Sequence, residues 1–149
     1  MSWSLGLTQT GDLALGGNTL AKVTNEQKLV QDLKYELLQK RGSYRYEREY
    51  GSTLDEKYIG KVPNSFNEIR LQIESEISEI IRRYQRRQLA RAKSDKMSYG
   101  AATLTAREVV VDFQIIKFVQ NQTAIDIEIN LTTASSNPSI YPVKLEINI

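Results

Sequence analysis

Apolar residues recur along this chain at two different periods, and the change of period divides it. From Phe66 to Tyr84 they step by three or four, through Ile69, Ile73, Ile77 and Ile80. That spacing draws one continuous stripe down a helix. Ser65 and Glu68 have the spacing of a capping box, whose side chains satisfy orphan amides of a first turn. An earlier stripe, Leu29, Val30, Leu33, Leu37 and Leu38, predicts a helix over residues 25–41. Thr24 and Gln27 would form its capping box, and Gly42, directly after Lys40 and Arg41, would take the left-handed place at its end.

Beyond residue 104 the period falls to two. Val109, Val111, Phe113 and Ile115 alternate with Val110, Asp112, Gln114 and Ile116, and Gln120 to Gln122 read as a turn. Ile125, Ile127, Ile129 and Leu131 alternate with Asp126, Glu128 and Asn130, the pattern of a strand with one buried face. After a loop through Ser135, Ser136, Asn137 and Pro138, Val143, Leu145, Ile147 and Ile149 alternate with Lys144, Glu146 and Asn148. Three strands with one apolar face each need cover, and two amphipathic helices can supply it. Helices first and strands after predict an α+β fold: two amphipathic helices on a small antiparallel sheet of three or four strands.

The remainder is irregular. Residues 1–23, rich in Gly and Thr, read as an extended arm, with Asp12 to Leu15 a short strand before a turn at Gly16-Gly17-Asn18. Residues 42–63 form a long connection crowded with Tyr and charge, and Leu54 to Ile59 within it suggest a helical turn. Connections of that length in compact domains are often functional. The expected organisation is one domain over residues 1–149: an arm (1–23), a helical half (24–93) and a strand half (104–149).

Composition matters chiefly through what is missing. The chain has no Cys and no His, which removes disulfides, thiolate metal sites, and the commonest general base and metal ligand. No metal or cofactor is expected. A net charge of +2 makes the chain as a whole unlike a nucleic-acid binder. No apolar run approaches the length of a membrane span, and residues 1–20 lack the basic start and apolar block of a secretory signal. The expectation is that the protein stays where it is made, without a membrane partner.

Glycosidases need two carboxylates flanking a bond, and Glu47 and Glu49 are the pair in the long loop. Each neighbours an Arg, which favours the ionised form over a general acid, so solvated loop charges are the better reading. Asp126 and Glu128 share a strand face as any half-exposed strand requires, and Gly16-Gly17 lacks the flanking strand and Lys of a phosphate loop. Arg82, Arg83, Arg86, Arg87, Arg91 and Lys93 crowd the second helix with no acid among residues 82–93. The cluster reads first as a solvated helix end whose cations match the dipole, and otherwise as forks for a partner's carboxylates or a phosphate-contacting patch. Tyr84 alone interleaves them, which disfavours nucleic acid. A last strand still alternating at Ile149 is either an ordinary sheet member or an open edge able to take a strand from another chain.

An arm, a helix closing on Arg41-Gly42, a polar linker, Glu49-Tyr50-Gly51-Ser52 with Leu54, a second long helix and terminal strands together resemble the gene-25-like baseplate wedge proteins of contractile phage tails. The related wedge component of type VI secretion shares the Arg-Gly and Tyr-Gly punctuation. The resemblance runs from about Asp12 to the final strand. It departs at one motif: where the family carries Glu-Pro-Arg near the end of the second helix, the nearest stretch here is Tyr84-Gln85-Arg86. The resemblance implies a structural, non-enzymatic subunit in the tail baseplate of a virion, assembled in the host cytoplasm. Its implied partners are other baseplate wedge proteins and the sheath subunit, with the central hub or tube as a further candidate. The wedge side would be Arg41, Gly42, Tyr50, Gly51, Arg82, Arg83, Arg86 and Arg87. Sheath strand exchange would use Val143, Leu145, Ile147 and Ile149. The rival from another class is a carboxylate-dependent cell-wall muramidase using Glu47 or Glu49.

Overall fold

A computed structural model describes residues 3–7, 13–16, 19–58, 66–97, 104–121, 124–135 and 140–148. Four short strands, β1 (Trp3–Leu5), β2 (Leu15–Gly16), β3 (Thr19–Leu20) and β4 (Lys22–Thr24), precede helix α1 (Asn25–Leu38). Helices α2 (Leu54–Tyr58) and α3 (Phe66–Met97) come next, then strands β5 (Val110–Gln120), β6 (Ala124–Thr133) and β7 (Ile140–Asn148). The fold is α+β, as the change of period implies. The strand half is an antiparallel meander in the order β5-β6-β7, with β6 in the middle.

The core lies between that sheet and the long helices. Ile125, Ile127, Ile129 and Leu131 of β6 and Val143, Leu145 and Ile147 of β7 point into it. Leu29, Leu33 and Leu37 of α1 and Ile73, Ile77, Ile80 and Ile81 of α3 meet them there. Each such side chain contributes about 1.5–3 kcal/mol when fully buried. Among the described residues no helix is long and apolar enough to cross a membrane.

Strand β5 departs from its expected phase. Val110 is 4% exposed and Val111 59% exposed, the reverse of simple alternation from Val109. The register against β6 shifts between Val110 and Asp112, and again between Ile115 and Lys117. Each shift inserts an unpaired residue, a β-bulge, and reverses the face of the residues beyond it. Phe113 and Ile115 therefore keep their inward places, Phe118 joins them, and Val111 and Ile116 are turned out.

The arm is of extended backbone but doubles back: β1 pairs antiparallel with β4, and β2 with β3. Gln31 of α1 holds it down, accepting from the Leu7 amide at 2.9 Å and donating to the Leu5 carbonyl at 2.8 Å. Asp12, Gly17 and Asn18 lie outside the described residues, as do Ser65, Ser136, Asn137, Pro138 and Ile149.

The helix ends also differ from expectation. Thr24, held extended opposite Trp3, makes no side-chain cap bond, so that capping box is not formed. Asn25 instead starts α1 at φ +50°, a conformation Asn tolerates better than most residues. Helix α1 stops at Leu38, short of Arg41, because Ser52 takes its end: the Ser52 hydroxyl donates to the Leu37 carbonyl at 2.6 Å. Helix α3 runs on to Met97, past the expected boundary at residue 93. At about 1.5 Å per residue it is about 48 Å long.

Candidate partner-binding surfaces

Residues 39–53 fold into a closed loop on the end of α1. The amide of Arg41 donates to the Ser52 carbonyl at 2.8 Å, that of Ser52 to Gln39 at 2.8 Å, and that of Gly42 to Tyr50 at 3.3 Å. Gly42 (φ +80°) is left-handed as its type suggests, but it turns this loop and does not end the helix. Gly51 (φ +99°) is buried, and a Cβ there would sit 2.6 Å from the Gln39 carbonyl oxygen, so only glycine fits.

Beneath the loop lies a buried ionic junction that sequence reasoning missed. Glu36 of α1 is 0% exposed and faces two arginines of α3. Arg87 binds one Glu36 oxygen and, through its other terminal nitrogen, Glu47 of the loop at 2.9 Å. Arg83 donates to the Gly51 carbonyl at 2.8 Å and lies 3.7 Å from the second Glu36 oxygen, too far for a hydrogen bond. That oxygen and the Arg83 Nε are buried without hydrogen-bond partners. Burial pushes the Glu36 carboxyl above its ordinary value, against the pull of Arg87 and Arg83. Burial also opposes the charge on Arg87, but the hydrogen bond to Glu47 and the charge of Glu36 outweigh it and hold the guanidinium more firmly protonated than usual. The signal for this junction was present: Glu36 stands three residues after Leu33, and Arg87 three after Tyr84, so both continue apolar stripes inward.

A ladder of rings runs outward from the junction. The Arg87 guanidinium lies 5.7 Å from the Tyr84 ring centre and 5.4 Å from that of Tyr50. Tyr50 packs against Tyr44 at 5.7 Å, and Tyr44 meets Tyr46 edge-on at 6.0 Å. Burial first, then the carboxylates of Glu36 and Asp32, raise the Tyr50 phenol; burial with the same two carboxylates raises Tyr84.

Of the eight residues expected on the wedge side, Arg83, Arg87, Tyr50 and Gly51 are thus engaged inside the molecule. Arg82 and Arg86 are exposed, with no ion pair among the described residues, and Arg41 is exposed on the loop. The helix-dipole account of the cluster does not apply to residues 82–87, which lie more than two turns before Met97, because that effect fades within the last turn. Glu47 is held by Arg87, and Glu49 lies on the rim of a neighbouring cavity of about 350 Å³. Among the described residues no group of acids could hold a metal ion.

The two edges of the sheet differ. On β5, the Gln88 side chain donates to the Glu108 carbonyl and accepts from the Val110 amide at 3.1 Å, and Gln85 donates to the carbonyls of Val110 and Val111 at 3.3 and 3.2 Å. Those amides and the two bulges blunt that edge. Strand β7 pairs with β6 in unbroken register from Ile140 to Asn148 and has no strand on its other side among the described residues. Pro142, which has no N–H, is tolerated in such an edge strand. A groove of about 740 Å³ runs between α1 and the start of β7, lined by Val30, Lys34, Tyr35, Leu38, Tyr141 and Pro142 among others. A second cavity of about 530 Å³ shares Lys34 and Leu38 and reaches Lys144, Leu145 and Glu146, but it crosses the sheet through Asp126 and Glu128 of β6 to Lys117 of β5 and is largely charged. Val143, Leu145 and Ile147 turn inward to the core, so what this edge offers a neighbour is its backbone.

No family model, no curated protein and no solved structure matches this chain.

Proposed function

We propose that the protein is a structural baseplate wedge subunit of a contractile tail or related injection machine, which joins the wedge core and starts the sheath by strand exchange. The observation that carries this reading is the open, regular edge of β7 with an apolar hollow beside it. An edge left unpaired is an aggregation hazard in a free monomer and an attachment site in an assembly; Pro142 and the exposed Lys144 temper the hazard here, and α1 and α2 pack against the strand. Backbone bonds would hold the incoming strand, and its alternate side chains would enter the hollow against Val30 and Leu38 of α1. Of the residues expected on the wedge side, Arg41, Arg82 and Arg86 are exposed and would meet other wedge proteins. The place of action under this reading is the virion tail, after assembly in the host cytoplasm.

Removing the last strand is a poor test, because Val143, Leu145 and Ile147 belong to the core. Lys144→Pro is better. Position 144 has the same phase as Pro142, so proline there removes an outward amide and leaves the core side chains in place. Co-expressed with a contractile-tail sheath subunit, the wild type should give sheath-like polymers by electron microscopy, and Lys144→Pro should give few or none while remaining folded. Equal polymer yield from both, or none from either, rejects strand exchange at β7.

A further inference from the structure

Arg45, Arg48, Arg82 and Arg86 are exposed, and none has an acid within ion-pair reach among the described residues. Beside them the long loop raises two tyrosines into solvent: Tyr46 is 85% exposed and Tyr44 more than half exposed. We infer that the Tyr44–Tyr46 tip and the Arg82–Arg86 ridge together form a docking surface for an acidic protein surface bearing an apolar recess. The inference deepens the proposed function, and rests on it only in taking the helical half as the side that meets a protein partner.

Three observations carry it. The first is continuity: Arg41 and Glu49 of the loop share one cavity of about 350 Å³ with Glu79, Arg83, Arg86 and Arg87 of α3. Arg87 in turn carries Tyr50 and, through it, Tyr44 and Tyr46, so the loop adjoins the ridge at Arg86. The second is rigidity. Tyr46 rests on Tyr44, Tyr44 on Tyr50, and Tyr50 on Arg87, which is fixed by Glu36 and Glu47. An exposed aromatic already ordered by its neighbours loses little conformational freedom on binding, which is the property of a strong interface anchor. The third is charge. Unpaired guanidiniums call for anionic groups in a geometry that forks can grip, and carboxylates meet that need. A nucleic-acid backbone would meet Glu49 and Glu79 on the same cavity as the arginines, and like charges there oppose it. An acidic protein surface can set its carboxylates against the arginines and meet Glu49 and Glu79 with uncharged groups, which a backbone with a phosphate at every nucleotide cannot do.

The test is fluorescence anisotropy of the full chain with a labelled peptide of repeated Glu-Glu-Leu-Ala, and with labelled oligo-dT of equal length at the same ionic strength. The peptide should bind more tightly than the oligonucleotide, and its binding should weaken as salt is added. Arg82→Glu with Arg86→Glu should weaken it by about tenfold or more. Tyr46→Ala should weaken it by about fivefold with the salt dependence unchanged, and Tyr46→Phe should restore most of the loss. Lys144→Pro should bind the peptide as the wild type does. Tighter binding of the oligonucleotide, no binding of the peptide, or affinity indifferent to the double arginine reversal overturns the inference. None of these outcomes bears on sheath polymerisation at β7, so the two proposals fail separately.

Discussion

Arg83 and Arg87 lie on one ridge of α3 and Arg82 and Arg86 on the next, a single residue apart. The first ridge turns toward α1, where it meets a carboxylate with no access to water, a glycine carbonyl and the underside of the tyrosine loop. The second turns to solvent and makes no ion pair among the described residues. Identical side chains thus do opposite work because a helix rotates by about a hundred degrees per residue. The inner ridge fixes the loop, and the outer ridge is what remains for a partner. Clusters of one charge on a helix are therefore better divided by ridge than weighed as a block.

Arg87→Ala should cost the fold most. It takes from Glu36 its close partner and from Glu47 its tie to the helix. Losing one side of a buried ion pair costs about 3–5 kcal/mol. Arg87 keeps some solvent access, so about 3 kcal/mol is expected. Urea unfolding would measure it. Exchange of the Arg41 and Ser52 amides, which close the loop, should accelerate in the same variant. A loss below about 0.5 kcal/mol would mean the junction is incidental.

The charge state of Glu36 reports on the inner ridge by a second route. Burial raises this carboxyl above its ordinary value of 4.5, so between that pH and the raised value the folded chain holds more protons than the unfolded one. Its contribution to stability is accordingly complete below 4.5 and lost as pH rises through the raised value. Glu36→Gln does not titrate. The stability of the wild type minus that of the variant should therefore fall as pH climbs from 4.5 through the raised value, read from urea midpoints along the series. A difference that grows with pH would show the arginines winning over burial.

Much of this arrangement can be read from periodicity, and the failures have physical causes. The stripe through Ile73, Ile77 and Ile80 and the alternation of Ile125, Ile127 and Ile129 stand in the core as their spacing demands. Strand β5 misleads because Val109-Val110-Val111 and Ile115-Ile116 contain no polar residue to mark where a bulge reverses the face. The end of α1 misleads because Lys40-Arg41-Gly42 has the composition of a helix stop, while the Ser52 hydroxyl, a long-range partner, ends the helix sooner. Glu36 was hidden by its type: acids are rarely buried, and only Arg83 and Arg87, about fifty residues on, make its inward position tolerable. Local pattern decides which elements form, whereas contacts distant in sequence decide where they stop and which way a charged ridge faces.

The smallest expected effect is the most informative about function. Arg82→Glu combined with Arg86→Glu changes two exposed side chains that make no ion pair among the described residues. Exposed substitutions of this kind stay within about 0.5 kcal/mol. The urea midpoint should hardly move, against the large loss at Arg87, while co-purification with a wedge partner is abolished. If the midpoint instead fell as far as in Arg87→Ala, the outer ridge would be part of the fold and the division between the ridges would fail. If the fold held and co-purification held with it, the arginines would be a solvated face, and attachment would have to be sought at the β7 edge alone. Only a stable, folded and solitary variant assigns the outer ridge to a partner, because in that case stability and association have been separated by one residue's rotation on a single helix.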